Sequence, residues 1–167
     1  MRCITIALLF SRMLSTSPAK SQNDSISQQI NEQVWLPYIN TFNNMYTEGF
    51  MELHSKKLTF IPEDSKRILN YDNYYANTKR SNDSYKKVNF KQSIGLRFTN
   101  RFTDQGNAFE TGYYKTVIVQ PDGIKKTEYG KFHVLLRQEK EVWKITFDTN
   151  TAENVDETLF QTGKPIK

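Results

Sequence analysis

Cysteine is almost missing from this chain: Cys3 is the only one in 167 residues. No disulfide framework and no cysteine metal site is available to it. Histidine is nearly as scarce, with His54 and His133 alone. Two isolated histidines without a carboxylate cluster at ligand spacing do not make a metal centre. Seven glycines and five prolines are too few for a low-complexity or linker sequence. There is no nucleophile elbow, no phosphate-binding glycine loop and no paired-carboxylate signature. Long apolar runs are absent too. The longest, Cys3 to Phe10 (CITIALLF), is too short to span a bilayer as a helix.

Aromatic residues are plentiful, with 11 Phe, 9 Tyr and 2 Trp, which marks a globular chain. The length favours one domain with a real core. The N-terminus has the order of a secretory signal: basic Met1-Arg2, the apolar run, then SRMLSTSPAKSQ, with Ala19 and Ser21 preceding a cleavage point at Gln22. This predicts a signal peptide over 1–21, a folded domain over 22–154, a C-terminal tail over 155–167, and a periplasmic or extracellular product with no membrane span after cleavage. Cleavage would remove Arg2, Arg12 and Lys20, taking the net charge from +5 to about +2, an ordinary surface. The basic dyads Lys56-Lys57, Lys66-Arg67, Lys79-Arg80, Lys86-Lys87 and Lys125-Lys126 are scattered. They form no stripe for nucleic acid, which is not an expected partner.

From Ser27 the apolar residues Ile30, Val34, Tyr38, Phe42 and Met45 recur at helical spacing. Pro37 either kinks one long helix or lies in the first turn of a second. Phe50, Met51 and Leu53 predict a short helix, and Lys57 to Pro62 a strand. A third major helix is expected from Glu63, through Ile68, Leu69, Tyr71, Tyr74 and Tyr75, fading into a polar loop over Asn77–Asp83. Four strands follow: Val88 to Phe102, Phe109 to Val119, Lys125 to Arg137 and Val142 to Phe147. Turns are expected at Pro121-Asp122-Gly123 and Gln138–Glu141. Alternation places Ile94, Leu96 and Phe98, then Phe132, Val134 and Leu136, then Trp143, Ile145 and Phe147 inward. The tail has one apolar pair, Leu159-Phe160, to dock it. Helices segregated from a run of strands define an α+β fold, with an apolar hollow between the layers.

Trp35, Tyr38 and Phe42, then Phe50-Met51-Glu52-Leu53-His54 and Thr59-Phe60-Ile61-Pro62, resemble the opening of nuclear transport factor 2-like proteins. Gly112-Tyr113, Asp122-Gly123, Gly130-Lys131-Phe132, Trp143-Lys144-Ile145, Asp148 and Asn150 resemble their closing strands. The similarity runs from about Ile30 to Asn154 and is greatest to the SnoaL-like and ketosteroid-isomerase-like branch, within it to a family of unknown function. The resemblance implies three helices on a strongly curved antiparallel sheet, a cone-shaped, cystatin-like fold. It also implies an internal pocket and often a homodimer through the outer sheet face; no cofactor is expected. Ketosteroid isomerases place a Tyr donor on the first helix, matched by Tyr38, and an Asp base at the end of the first strand. That base position falls on Pro62, or on Ile61 one residue earlier, and neither accepts a proton.

The expected function is therefore binding of a small apolar or amphipathic ligand. The alternative is an enzyme acting on a small carbonyl or ring compound, with Tyr38 as donor. His54 and Asp148 are the catalytic candidates. His54 reads as a helix-end residue, and strict alternation turns Asp148 outward unless its strand bulges. Buried phenols need partners and so collect around ligand-bearing hollows. Tyr38, Tyr71, Tyr74, Tyr75, Tyr113 and Tyr129 are the surplus. The expected pocket lining is Trp35, Tyr38, Phe60, Tyr71, Tyr75, Tyr113, Phe132 and Phe147.

Export is checked by intact-mass analysis of the protein from its native host. A chain beginning at or near Gln22 is the expected result, and a soluble cytosolic chain beginning at Met1 would refute it.

Overall fold

The computed structural model of the protein describes residues 19–166, with side chains from Asp24 onward. The predicted signal segment lies outside them except for Ala19 to Ser21. Among the described residues no helix is long and apolar enough to cross a membrane.

Helix α1 (Ala19–Ile30) runs through a π-helical turn, Asn31–Trp35, into α2 (Leu36–Asn43). Pro37 lies in the first turn of α2, where its missing N–H costs nothing. The wide turn sets Trp35 and Tyr38 side by side, their ring centroids 5.6 Å apart. A short α3 (Thr47–Glu52) precedes β1 (His54–Pro62). The predicted helix start at Glu63 is only a 3-10 turn, Glu63–Ser65, and Ile68 is exposed. Next come β2 (Leu69–Asn70) and α4 (Tyr71–Lys87).

Helix α4 corrects the expected loop over Asn77–Asp83. Asn70 caps it by accepting from the Asn73 N–H at 3.0 Å, Lys86 and Lys87 sit in its last turn, and Lys79 pairs with Asp83 one turn on. These local gains join one tertiary tie, the buried Asn82 amide donating to the Thr47 hydroxyl at 2.9 Å.

The remaining strands are β3 (Lys91–Asp104), β4 (Asn107–Val119), β5 (Lys125–Glu139) and β6 (Val142–Thr151), closed by α5 (Glu157–Thr162) and β7 (Lys164–Pro165). The sheet order is β2-β1-β6-β5-β4-β3-β7. All pairings are antiparallel except β1 with β6. The fold is α+β, with helices against one face of a curved, unclosed sheet. Gly123 takes φ +86° in the β4–β5 turn, and Lys140 and Glu141 both take positive φ in the β5–β6 turn, the geometry that matches strand twist. Phe160 docks α5 and is buried, while Leu159 stays exposed.

One irregularity matters for the site. In β6 the register slips at Thr146, so that Ile145 faces Leu136 and Phe147 faces Leu135. The extra residue inverts the alternation after it. Leu135 is on the outer, exposed face, and Phe147 lies beside it, contrary to its predicted inward position. Asp148 now faces Val134, which is 2% exposed, and turns inward.

Trp143 and Ile145, ahead of the slip, are buried as alternation predicts. The Trp143 indole N–H donates to Gln29 at 3.0 Å, and its backbone N–H to Gln33 at 3.0 Å, so one residue anchors α1 and the π turn to β6. Trp143→Ala should cost about 3–5 kcal/mol and lower the melting temperature by roughly 10 °C. A drop of only a degree or two would remove Trp143 from the core.

Candidate functional site

Two neighbouring hollows that share Phe42, Tyr74 and Thr116 lie between helices and sheet. The inner one has a volume of about 160 Å³, close to the roughly 150 Å³ that accommodates a benzene ring. Trp35, Tyr38 and Phe42 line it from the first helices and Tyr74 from α4. Ile94, Leu96, Tyr114, Thr116, Phe132 and Val134 come from the central strands, and Asp148 and Asn150 from β6. Of the predicted lining, Trp35, Tyr38 and Phe132 are brought together here.

The others are not. Phe60 lies behind Tyr74, its ring centroid 4.1 Å away, and supports that ring from the core. Tyr71 is buried at the start of α4, with the Lys56 ammonium 3.7 Å over its ring. The Tyr75 hydroxyl turns outward to Glu48. Tyr113 pairs with Arg97 and Lys131 on the outer face. Phe147 is on the outer face as described. The inward phenols are Tyr74 and Tyr114. Inward parity on β4 follows the even-numbered residues Ala108 and Glu110, a signal legible in the sequence only once the strand's phase was known. Gly130 makes room for Tyr114, since a Cβ there would lie 2.2 Å from the Tyr114 ring.

His54 opens β1 rather than ending a helix, and it is buried. Its Nδ1 lies 3.0 Å from the Phe50 carbonyl oxygen, which assigns the N–H to that atom. Its Nε2 has no partner. Burial lowers its pKa to about 4, so the ring is neutral. It packs edge-on to Tyr74 at 5.5 Å and does not line the hollow.

Asp148 does. It is 5% exposed, and burial raises its pKa to about 7. Among the described residues no basic side chain lines the hollow with it. Burial likewise lifts the pKa of Tyr38, Tyr74 and Tyr114, with the Asp148 charge adding to the effect on each. All three phenols are therefore protonated donors at neutral pH. Asp148 is poised between its two states, where a general base works best. Across the parallel pairing with β1, Asp148 sits opposite Phe60, and Asn150 opposite Pro62.

Beneath the hollow, Glu110 is fully buried. It accepts from the Trp35 indole and from Arg101 Nε at 2.8 Å. Burial raises its pKa, and Arg101 and the indole oppose that rise. Among the described residues no group of His, Cys, Asp and Glu is arranged to hold a metal ion.

No family model matches the chain, and no curated protein matches it. Solved structures do. An NTF-2 like protein of unknown function from Shewanella oneidensis is 18% identical, with 77% of this chain and 98% of that one covered at a TM-score of 0.59. An NTF2-like protein with a cystatin-like fold from Novosphingobium aromaticivorans is 10% identical, with 88% and 96% covered at 0.66. A nuclear transport factor 2-like superfamily protein from Salmonella enterica is 14% identical, with 80% and 97% covered at 0.63. The fold is nuclear transport factor 2-like. At these identities the likeness speaks for the fold alone, and what the hollow does depends on this chain's own residues.

The Asp148 shift has a definite sign. Its folded pKa lies above the ordinary 3.8, so the folded state holds the proton more tightly. The stability this confers is complete below about pH 4, falls as pH rises towards 7, and is gone above. His54, with its pKa lowered, acts oppositely and loses stability as pH falls from 6.5 towards 4. Asp148→Asn should therefore melt higher than the parent at pH 8, with the gap closing towards pH 4. Parallel melting curves across that range would contradict the buried, uncompensated carboxylate.

Proposed function

We propose that the domain binds a small neutral ring compound carrying a carbonyl oxygen and moves a proton on it. Asp148 is the base, and Tyr38, flanked by Tyr74, is the donor to the oxygen. One observation carries this reading: Asp148 is the single ionisable carboxylate facing an aromatic hollow of one-ring size, and no cation there neutralises it. Its charge is unfavourable in the empty site. It is useful when a substrate C–H proton can be taken and the resulting oxyanion held by a phenol. The sequence resemblance to ketosteroid-isomerase-like proteins supports the donor role of Tyr38 alone; the base role of Asp148 rests on its burial in the hollow.

The chemistry balances without a cofactor. Asp148 removes a proton from the carbon next to the carbonyl, the C–H electrons move into a dienolate, and the phenol donates to its oxygen. Asp148 then returns the proton at the far end of the conjugated system.

The test is isomerisation of 3-cyclohexen-1-one to 2-cyclohexen-1-one, alongside calorimetric binding of the product. Turnover should rise with pH through about 7 as the base ionises. Asp148→Asn should lower kcat by about 10²–10⁴-fold and Tyr38→Phe by about 10²–10³-fold, with binding retained in both. Binding without turnover in the parent would leave a binding module and remove Asp148 as a base.

A further inference from the structure

The second hollow adjoins the first. It has a volume of about 260 Å³, and the two share Phe42, Tyr74 and Thr116 as walls. Apart from Phe50 and Ile118, its remaining lining is polar. Thr78, Ser81, Asn82 and Tyr85 come from α4 and Gln92 from β3. The Gln92 amide N–H donates to the Phe42 carbonyl at 2.7 Å, and the Asn82 amide to Thr47 at 2.9 Å. Each amide is thereby oriented, with its carbonyl oxygen left as an acceptor. The hydroxyls of Thr78 and Ser81 both donate and accept. Among the described residues Glu128 is the only charged one in the lining, and Lys126 pairs with it at 2.7 Å. Tyr85, packed on Phe90 with centroids 5.5 Å apart, offers a flat ring face.

We infer that this outer hollow is a second subsite, and that it takes a neutral polyhydroxylated group joined to the ring held in the inner hollow. A ligand with several hydroxyls brings donors to the oriented amide oxygens and both donors and acceptors to the hydroxyls. Its C–H face lies against Tyr85. A phosphate or carboxylate finds no lysine or arginine in the lining and meets Glu128, so anions are disfavoured. The volume suits a unit the size of one pyranose, larger than the ring-sized chamber behind it. The ligand class is therefore a ring compound bearing a sugar-like or polyol substituent. This inference rests on the ring-binding part of the proposed function and is independent of proton transfer.

The experiment compares binding of phenol, phenyl β-D-glucoside and phenyl phosphate by calorimetry. The glucoside should bind about tenfold more tightly than phenol, the gain of one to three net hydrogen bonds, and phenyl phosphate more weakly than the glucoside. Ser81→Trp, at an exposed helix position, should fill the outer hollow and abolish the gain while phenol binding stays unchanged. Thr78→Val and Ser81→Ala, which keep the volume nearly constant, should each remove part of it. A glucoside no tighter than phenol, no binding by either, or a Ser81→Trp loss shared equally by phenol would each overturn the inference. Absence of cyclohexenone isomerisation with the glucoside gain intact would refute the proton transfer and leave this subsite standing.

Discussion

A single buried carboxylate fixes how the helical layer is oriented on the centre of the sheet. Glu110, in the middle of β4, accepts from the Trp35 indole on the helical layer and from Arg101 on β3. Arg101 in turn reaches the Ser27 carbonyl of α1 and covers the Phe98 ring at 4.3 Å. A carboxylate with no exposed surface is costly unless each oxygen is satisfied, and both are. The geometry leaves little freedom: the indole must point at β4, and its ring then forms one wall of the inner hollow. Trp35, Phe98 and Phe132 pack at centroid distances of 5.4–5.8 Å, a contact set that depends on that direction.

The opposite wall rests on an irregularity. Without the slip at Thr146, β6 would carry Phe147 inward and Asp148 outward, and the chamber would lose its carboxylate. The bulge exchanges them. It places a charge where desolvation opposes it, with hydroxyl donors around it. Bulges beside functional sites re-aim side chains in this way. The buried network below is satisfied and rigid, whereas the carboxylate above is unsatisfied by charge. That contrast separates Glu110, whose two oxygens both accept hydrogen bonds, from Asp148, although both have raised pKa values.

The polar helix α4 links the two hollows. Its Tyr74 lines both hollows, and Thr78, Ser81, Asn82 and Tyr85 line the outer one, all from one face of the helix. Its composition reads as a loop, because Asn, Thr and Ser compete with helical backbone bonds. The Asn70 cap, the Lys79–Asp83 pair and the buried Asn82–Thr47 bond outweigh that preference.

Much of the scaffold is legible in the sequence. The alternation of β3, β5 and the first half of β6, the turns at Gly123 and Lys140-Glu141, the α+β order and the docking of Phe160 all follow from local residue pattern. So do Trp35, Tyr38 and Phe132 as pocket walls, because helical spacing and strict period-two alternation are properties of short windows. Which tyrosines face inward is not a local property. Tyr113 or Tyr114 depends on the phase of β4, fixed by pairing with β3 and β5, and by the space that Gly130 leaves. Tyr74 is chosen by how α4 rolls onto β1. The fate of Asp148 turns on a one-residue slip against Leu135 and Leu136, which no window of β6 alone contains. Burial of Glu110 and His54 likewise comes from elements distant in sequence. The sequence by itself determined the elements and the face of most strands. Only tertiary structure decided which ionisable groups lose their water, because desolvation depends on the neighbours that packing brings from elsewhere in the chain.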